Sequence, residues 1–291
     1  MEREYTQEEL ERVHAELYSI LAEIIRVCEK CGIPYFIQGG SAIGAFFENA
    51  ILPWDDDIDI GMTRKNYKRF LREAPKVLGP EFFLQWIGSD PHTPFYFAKV
   101  RKNNTLFVEK DFVKLDIHNG IFIDVFPYDK VPDQIKLQKF HRILSNFFNC
   151  CFMGKDIWMW KHFGACQVAH PTNRGAIPCF FNRLVDILFT KKAIYRMLSA
   201  VQGMFNFWNT EYYNMVLMSK DHISVKSIET PQEVKFGNLT VSAPSDLETY
   251  LRHHYRNLRR YIPKEEQQNH RPTYLSFDLE NDQELKTSFR R

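Results

Sequence analysis

The sequence predicts an α/β (α+β) fold: a mixed sheet flanked by helices over residues 1–131, then a helical and irregular second half. Three observations predict it. Helical and strand periodicities alternate from Leu10 to Phe126. A strand-like Tyr35-Phe36-Ile37 runs through Gln38-Gly39-Gly40-Ser41 into helical composition. After Pro132 the chain changes character, and two long helical patterns follow before a late hairpin.

The elements follow in order. Leu10, Val13, Leu17, Ile20, Leu21, Ile24 and Cys28 recur at three- and four-residue steps, a helix that Gly32 and Pro34 end. Tyr35–Ile37 is a short buried strand, and the glycines after it permit a tight turn and close approach to the backbone. Ala42–Glu48 is helical and Asn49–Trp54 a loop. Asp57–Gly61 is a strand by its alternation, and Thr63 caps a helix to about Leu71. Phe82–Ile87, Phe95–Arg101, Thr105–Val108 and Ile121–Phe126 are strands, the last ending ahead of Pro127. Asp133–Cys151 and Asn182–Phe207 are helical, and the stretch between them is an irregular loop or an inserted subdomain. Val234–Val241 is a hairpin around Gly237-Asn238, and Ser245-Asp-Leu-Glu248 a capping box opening a helix to about Leu258. The organisation expected is a core over 1–131, a helical and irregular insertion over 132–232, a hairpin and helix over 233–266 returning to the core, and a frayed polar tail over 267–291, His270 apart.

Composition sets limits. The chain has 291 residues, 44% hydrophobic and 25% charged, ordinary for a globular protein with a real core. A net charge of +2 is too small to argue for a polyanion partner, though a local basic cluster could still bind phosphate groups, and no nucleic acid is expected. Aromatic content is 15%, with 25 Phe, which fits equally a deep apolar core or a surface that meets something greasy. The N-terminal stretch lacks the basic and apolar regions of a secretory leader. No window has the roughly 18 uncharged apolar residues of a membrane span. The expected location is cytoplasmic, with contact at the inner face of the membrane left open. The six cysteines are therefore expected as free thiols. Cys28 and Cys31 are spaced C-x-x-C but close a helix; Cys150, Cys151, Cys166 and Cys179, with His162 and His170, match no standard zinc spacing.

The chemistry concentrates in Trp54-Asp-Asp-Asp-Ile-Asp-Ile60. Asp is depleted in strands, yet Asp55, Asp57 and Asp59 fall two apart and project to one face, opposite Ile58 and Ile60. Carboxylates crowded at the rim of a core call for a cation. Hard oxygen ligands suit Mg²⁺ or Mn²⁺. Asp57 and Asp59 are the expected ligands; Asp55 lies at the mouth, and Asp56 points away as a solvated turn residue. Gly39, Gly40 and Ser41, at a helix start, are expected to hold donor phosphates through backbone N–H groups and the hydroxyl. Asp124, in the apolar run Gly120–Pro127, is expected as third ligand or general base, against a buried Asp that caps a loop. Lys99 and Arg101, two apart on one strand, are candidates to stabilise phosphate charge, against a solvated basic face. Trp54, Trp86 and Tyr128 could stack on a base but read first as core. His118, His170 and His270 read as core or surface residues.

Tyr35-Phe-Ile-Gln-Gly-Gly-Ser-Ala-Ile-Gly-Ala45 and Ile51-Leu-Pro-Trp-Asp-Asp-Asp-Ile-Asp-Ile-Gly61 resemble the signature of the LicD family, within the nucleotidyltransferase superfamily. Gly40-Ser41, Asp57-Ile58-Asp59 and Asp124 match the superfamily pattern in order. Agreement extends to Lys99-Val-Arg101, Thr105, Gly120–Pro127, Phe236–Pro244 and the helix through Tyr255. Where family members usually show Tyr-Gly-Asp, this chain has Tyr255-Arg256-Asn257, and residues 150–181 have no counterpart. The resemblance implies a nucleotidyltransferase-type fold and transfer of a phospho-alcohol, phosphocholine first, from a CDP-linked donor such as CDP-choline to a cell-surface glycan or its lipid-linked precursor, as in lipopolysaccharide or teichoic acid. Two alternatives keep the scaffold: nucleotidyl transfer from an NTP, and a non-catalytic glycan- or nucleotide-binding module.

Overall fold

Thr6 accepts the Glu9 N–H while the Glu9 carboxylate takes the Thr6 N–H, a reciprocal cap that opens α1 (Gln7–Cys31). The helix ends at Gly32, whose φ of +59° is the left-handed conformation glycine adopts without a Cβ penalty. Its stripe from Leu10 to Cys28 is buried as the periodicity predicts. In this computed structural model the described residues are 4–113, 115–153, 155, 187–216, 222–255, 257–267, 269–283 and 285.

The central sheet contains β1 (Phe36–Ile37), β2 (Asp59–Thr63), β6 (Phe122–Val131), β4 (Ala98–Lys102) and β3 (Phe82–Gln85), in that spatial order. Only β2 and β6 are parallel, placing Asp59 beside Asp124 and Thr63 beside Tyr128; the other pairs are antiparallel. The sheet is thus mixed, as expected. Two strands extend it beyond β6: β7 (Tyr212–Asn214) pairs Asp129–Val131, and β8 (His222–Ser224) pairs β7. The core behind the sheet joins the α1 stripe to Ile58, Ile60, Val100, Ile123 and Val125.

The strand expected to stop at Pro127 runs on to Val131. Proline has no N–H to give a ladder. Pro127 falls in the gap between β4, which ends opposite Val125, and β7, which begins opposite Asp129, so that edge demands no donor from it.

Helix α2 (Gly39–Phe47) follows β1, and α3 (Arg64–Glu73) follows β2. Thr63 occupies the expected cap position of α3, but its side chain makes no capping bond. The helical patterns after Pro132 become α4 (Ile135–Met153) and α5 (Lys191–Gln202). They lie antiparallel, with His141 against Val201 and Phe152 against Tyr195. Residues 156–186 and 217–221 lie outside the described residues, and with them most of the irregular stretch, His162, His170, Cys166 and Cys179. Cys28 and Cys31 are free thiols.

The hairpin around Gly237 is β9 (Gln232–Phe236) and β10 (Leu239–Ala243), with Gly237 at φ +65°. After α6 (Val225–Glu229) and this hairpin comes α7 (Leu247–His254). Its cap is Asp246, which accepts the Thr249 N–H, rather than Ser245; and the helix stops at His254, short of Leu258. The tail expected to fray is ordered at β11 (Tyr274–Ser276), which pairs antiparallel with β5 (Leu106–Val108). The exposed edge of β5 supplies unpaired backbone groups, and that pairing outweighs the polar composition. No described helix is long and apolar enough to cross a membrane.

Candidate active site

The site forms where β1 enters α2. Gly39 has φ +58°, and a Cβ there would lie 3.2 Å from Asp59 Oδ2. A Cβ on Gly40 would lie 2.7 Å from Asp55 Oδ2. The glycines therefore bring the acidic run against the turn. The Ser41 hydroxyl accepts the Asp59 N–H at 2.9 Å. Gly39 N–H donates to the Tyr250 hydroxyl of α7 at 3.1 Å. The amides of Gly40 and Ser41 belong to the first turn of α2, where helical N–H groups have no partner within the helix.

Asp59 opens β2, and Asp55 and Asp57 precede the strand. Alternation works as the sequence predicts for the odd positions and also decides Asp56. It shares the face of Ile58 and Ile60, so it is 3% exposed instead of solvated. Tyr5 donates its hydroxyl to Asp56 at 2.8 Å, and the His270 N–H donates at 2.9 Å. A buried carboxylate needs such partners, and these tie both ends of the described chain to the acidic run.

Burial is the first cause that raises every acid here. Asp59 is raised well above the carboxylate range by desolvation, then by Asp57, Asp124 and Asp55. Asp55 is pushed up to about 8 by burial, then by Asp57 and Asp56, and shares a hydrogen bond with Asp57. Asp57 and Asp124 are raised by the same burial, against the pull of Lys99. Glu109, just beyond β5, is raised likewise and senses Lys99 and Asp124.

Lys99 and Asp124 are paired neighbours on β4 and β6, and Lys99 Nζ donates to Asp124 Oδ1 at 2.6 Å. The ammonium lies 3.5 Å from the Phe122 ring centre and 4.3 Å from that of Phe95. Burial pulls its pKa down despite the carboxylate. Arg101 shares the Phe122 ring but donates to Gln85 Oε1 at 2.5 Å and to the Gly120 carbonyl at 2.6 Å. Neither cation is on a solvated face. Among the aromatic candidates, Tyr128 is fully buried and donates to Gln38, so it is core; Trp54 and Trp86 are half-buried against the core. His118 stacks on Phe83 within the fold. His270 is 66% exposed, with Nδ1 3.8 Å from Asp56 Oδ1 and from Asp57 Oδ2, at the mouth of the acids.

The structure thus gathers Gly39, Gly40, Ser41, Asp57, Asp59, Asp124 and Lys99, with Arg101 one ring behind. Asp55, Tyr250, His270 and Glu109 join them. Of these, Asp55 was legible from alternation, whereas Tyr250, His270 and Glu109 carry no local signal. A crowd of buried carboxylates with raised pKa values suits a hard divalent cation. Among the described residues no three His, Cys, Asp or Glu side chains already form a closed cage, and Asp124 is turned onto Lys99. Mg²⁺ commonly takes one or two carboxylates and completes its shell with water and substrate phosphate; Asp57 and Asp59 fit that role.

The LicD/FKTN/FKRP nucleotidyltransferase-domain profile matches residues 32–162, which span the glycine turn, the acidic run and Asp124. The lipopolysaccharide cholinephosphotransferase LicD of Haemophilus influenzae is 26% identical over 276 residues, 87% of this chain and 92% of that protein. Residues 32–162 carry the nucleotidyltransferase domain of the LicD family, and the likeness to a LicD protein runs over most of the chain. An uncharacterised Rickettsia typhi protein is 32% identical over 60 residues, 21% of this chain and 19% of that one. The chain is accordingly an enzyme of the phosphotransferase class.

Proposed function

We propose that this chain transfers a phospho-alcohol, phosphocholine first, from a CDP-linked donor to a hydroxyl of a cell-surface glycan or its lipid-linked precursor. The observation that carries the reading is the meeting of Asp57, Asp59 and Asp124 with the glycine turn, beside buried Lys99. The name of the Haemophilus relative supports phosphocholine and lipopolysaccharide.

In this reading the free N–H groups of Gly40 and Ser41 bind the donor phosphates at the start of α2. Ser41 holds Asp59 in place through its backbone. A Mg²⁺ or Mn²⁺ ion on Asp57 and Asp59 would polarise the phosphoryl oxygens and neutralise charge on the leaving CMP. The acceptor oxygen bonds to the distal phosphorus, the bond from that phosphorus to the CMP oxygen breaks, and the hydroxyl proton passes to Asp124. A carboxylate raised by burial is the better base for that step. Lys99 holds Asp124 in position and, with Arg101 behind it, adds positive field at the phosphates. Positioning supplies most of the acceleration. Acceptor recognition falls to residues 132–232.

The test follows CMP release from CDP-choline with an acceptor glycan, in the native chain and in Asp57→Asn/Asp59→Asn. The reading expects Mg²⁺-dependent release in the first and none in the second. Undiminished turnover in a folded double variant sinks it, and pyrophosphate release from an NTP would assign nucleotidyl transfer instead.

A further inference from the structure

Helix α4 is turned inside out. Its buried face carries His141, Ser145 and Asn149, one per turn, ahead of Cys150, Cys151 and Phe152. Ser145 Oγ and Asn149 Oδ1 have no hydrogen-bond partner among the described residues, and His141 meets the Val201 carbonyl at 2.7 Å. Its outer face carries Ile135, Phe140 and Ile143, which are 68%, 55% and 67% exposed. At 100° per residue these three share roughly 140° of the circumference. A helix that faces water carries the opposite pattern.

Charge says what covers this face. Lys136, Lys139 and Arg142 of α4 are accompanied by no Asp or Glu in either helix. Asp133, just before α4, is occupied by the Glu211 N–H. Lys136 and Lys139 lie among the exposed apolar residues themselves. Next to the helix pair, Phe207 and Trp208 are also exposed, and Lys130 reaches the Trp208 carbonyl.

We propose that the outer face of α4, with Phe207 and Trp208 beside it, docks on an anionic lipid membrane. Ile135, Phe140 and Ile143 enter the boundary between headgroups and acyl chains, and the cations meet lipid phosphates. Tryptophan at such a boundary keeps its ring in the apolar layer and its N–H in the polar one. A second copy seated on the same face would oppose like charges. The helix pair is joined to the far end of β6, where Arg64 pairs Asp129 and bonds Ser199 and Gln202 of α5. Asp129 lies five residues along the strand from Asp124, roughly 16 Å at 3.3 Å per residue, so the helix pair is anchored away from the acidic site. The proposal is independent of donor and reaction.

The experiment is flotation of the whole chain with vesicles of phosphatidylcholine alone, or of phosphatidylcholine mixed with phosphatidylglycerol. The native chain is expected to float with the mixed vesicles only, and to be released by salt. Ile135→Glu/Phe140→Glu/Ile143→Glu should lower partitioning at least about tenfold. Lys136→Gln/Lys139→Gln/Arg142→Gln, which keeps the apolar face, should lower it too, both variants melting like the native chain. The proposal is overturned if the native chain does not float, if it floats equally on phosphatidylcholine alone, or if both variants float unchanged. Light scattering that shows a native dimer split by the Glu variants, with flotation unaltered, would give the face to a second copy and equally overturn it.

Discussion

Ser41 Oγ accepts the backbone N–H of Asp59 at 2.9 Å, so the glycine turn and the acidic strand are one mechanical unit. The hydroxyl expected to grip phosphate is also the brace of a candidate ligand. Ser41→Ala leaves a buried N–H without a partner, a loss of about 1–3 kcal/mol of stability. It should also lower turnover by about a hundredfold through misplacement of Asp59. Chemical denaturation and CMP release measure the two effects.

The acids oppose one another before they serve any substrate. Asp57→Asn and Asp59→Asn should each raise the melting temperature in chelator while abolishing transfer, the inverse movement expected where charge is crowded for function. Added Mg²⁺ should raise the melting temperature of the native chain and leave the double variant unmoved. Calorimetry with and without the ion decides both.

Gly39 cannot be replaced cheaply. Alanine at φ +58° costs about 1–2 kcal/mol, and its Cβ would press on Asp59 Oδ2. Gly39→Ala should therefore lose stability and activity together. Gly40→Ala displaces only the end of the Asp55 side chain, so its effect should fall mainly on turnover.

Lys99 and Asp124 stand or fall as a pair. Lys99→Met or Asp124→Asn alone leaves a buried charge or donor uncompensated and should cost about 3–5 kcal/mol. Lys99→Met/Asp124→Leu should recover much of that stability and none of the activity. A double-mutant cycle by denaturation measures the coupling.

His118 makes stability depend on pH. Its Nδ1 accepts the Gly120 N–H at 3.2 Å and its Nε2–H meets Asn103 Oδ1 at 2.9 Å, which is the neutral ring. Burial, then Arg101, lowers its pKa to about 4 from 6.5. The unfolded chain binds the proton first, so this contribution is intact above pH 6.5 and is lost as pH falls toward 4. The raised carboxylates act in the opposite sense. The difference between native chain and His118→Gln isolates the histidine: between pH 7 and 5 the native chain should lose more stability than the variant.

The parts of the site that sequence revealed are those governed by local rules. Alternation put Asp57 and Asp59 on one face, and two glycines ahead of a helix marked the turn. The same alternation placed Asp56 beside Ile58 and Ile60, and the solvated reading of Asp56 neglected it. Tyr250, Glu109 and His270 reach the site from 211, 50 and 213 residues beyond Gly39, Asp59 and Asp57, distances over which periodicity carries no information. The tail was misread for a related reason. Polar composition describes its affinity for water, whereas the open edge of β5 decides where it lies.

The bonds from Tyr5 and His270 to Asp56 have a consequence for synthesis. A nascent chain that has reached residue 131 already contains every aspartate of the site and the whole strand that bears Asp124. Asp56 still lacks its second partner, and β5 still lacks its neighbour, until residues 270–276 emerge. Assembly of the acidic centre therefore waits on the ribosome for a segment more than 130 residues downstream of Asp124, and the site is complete only once residue 276 has been made.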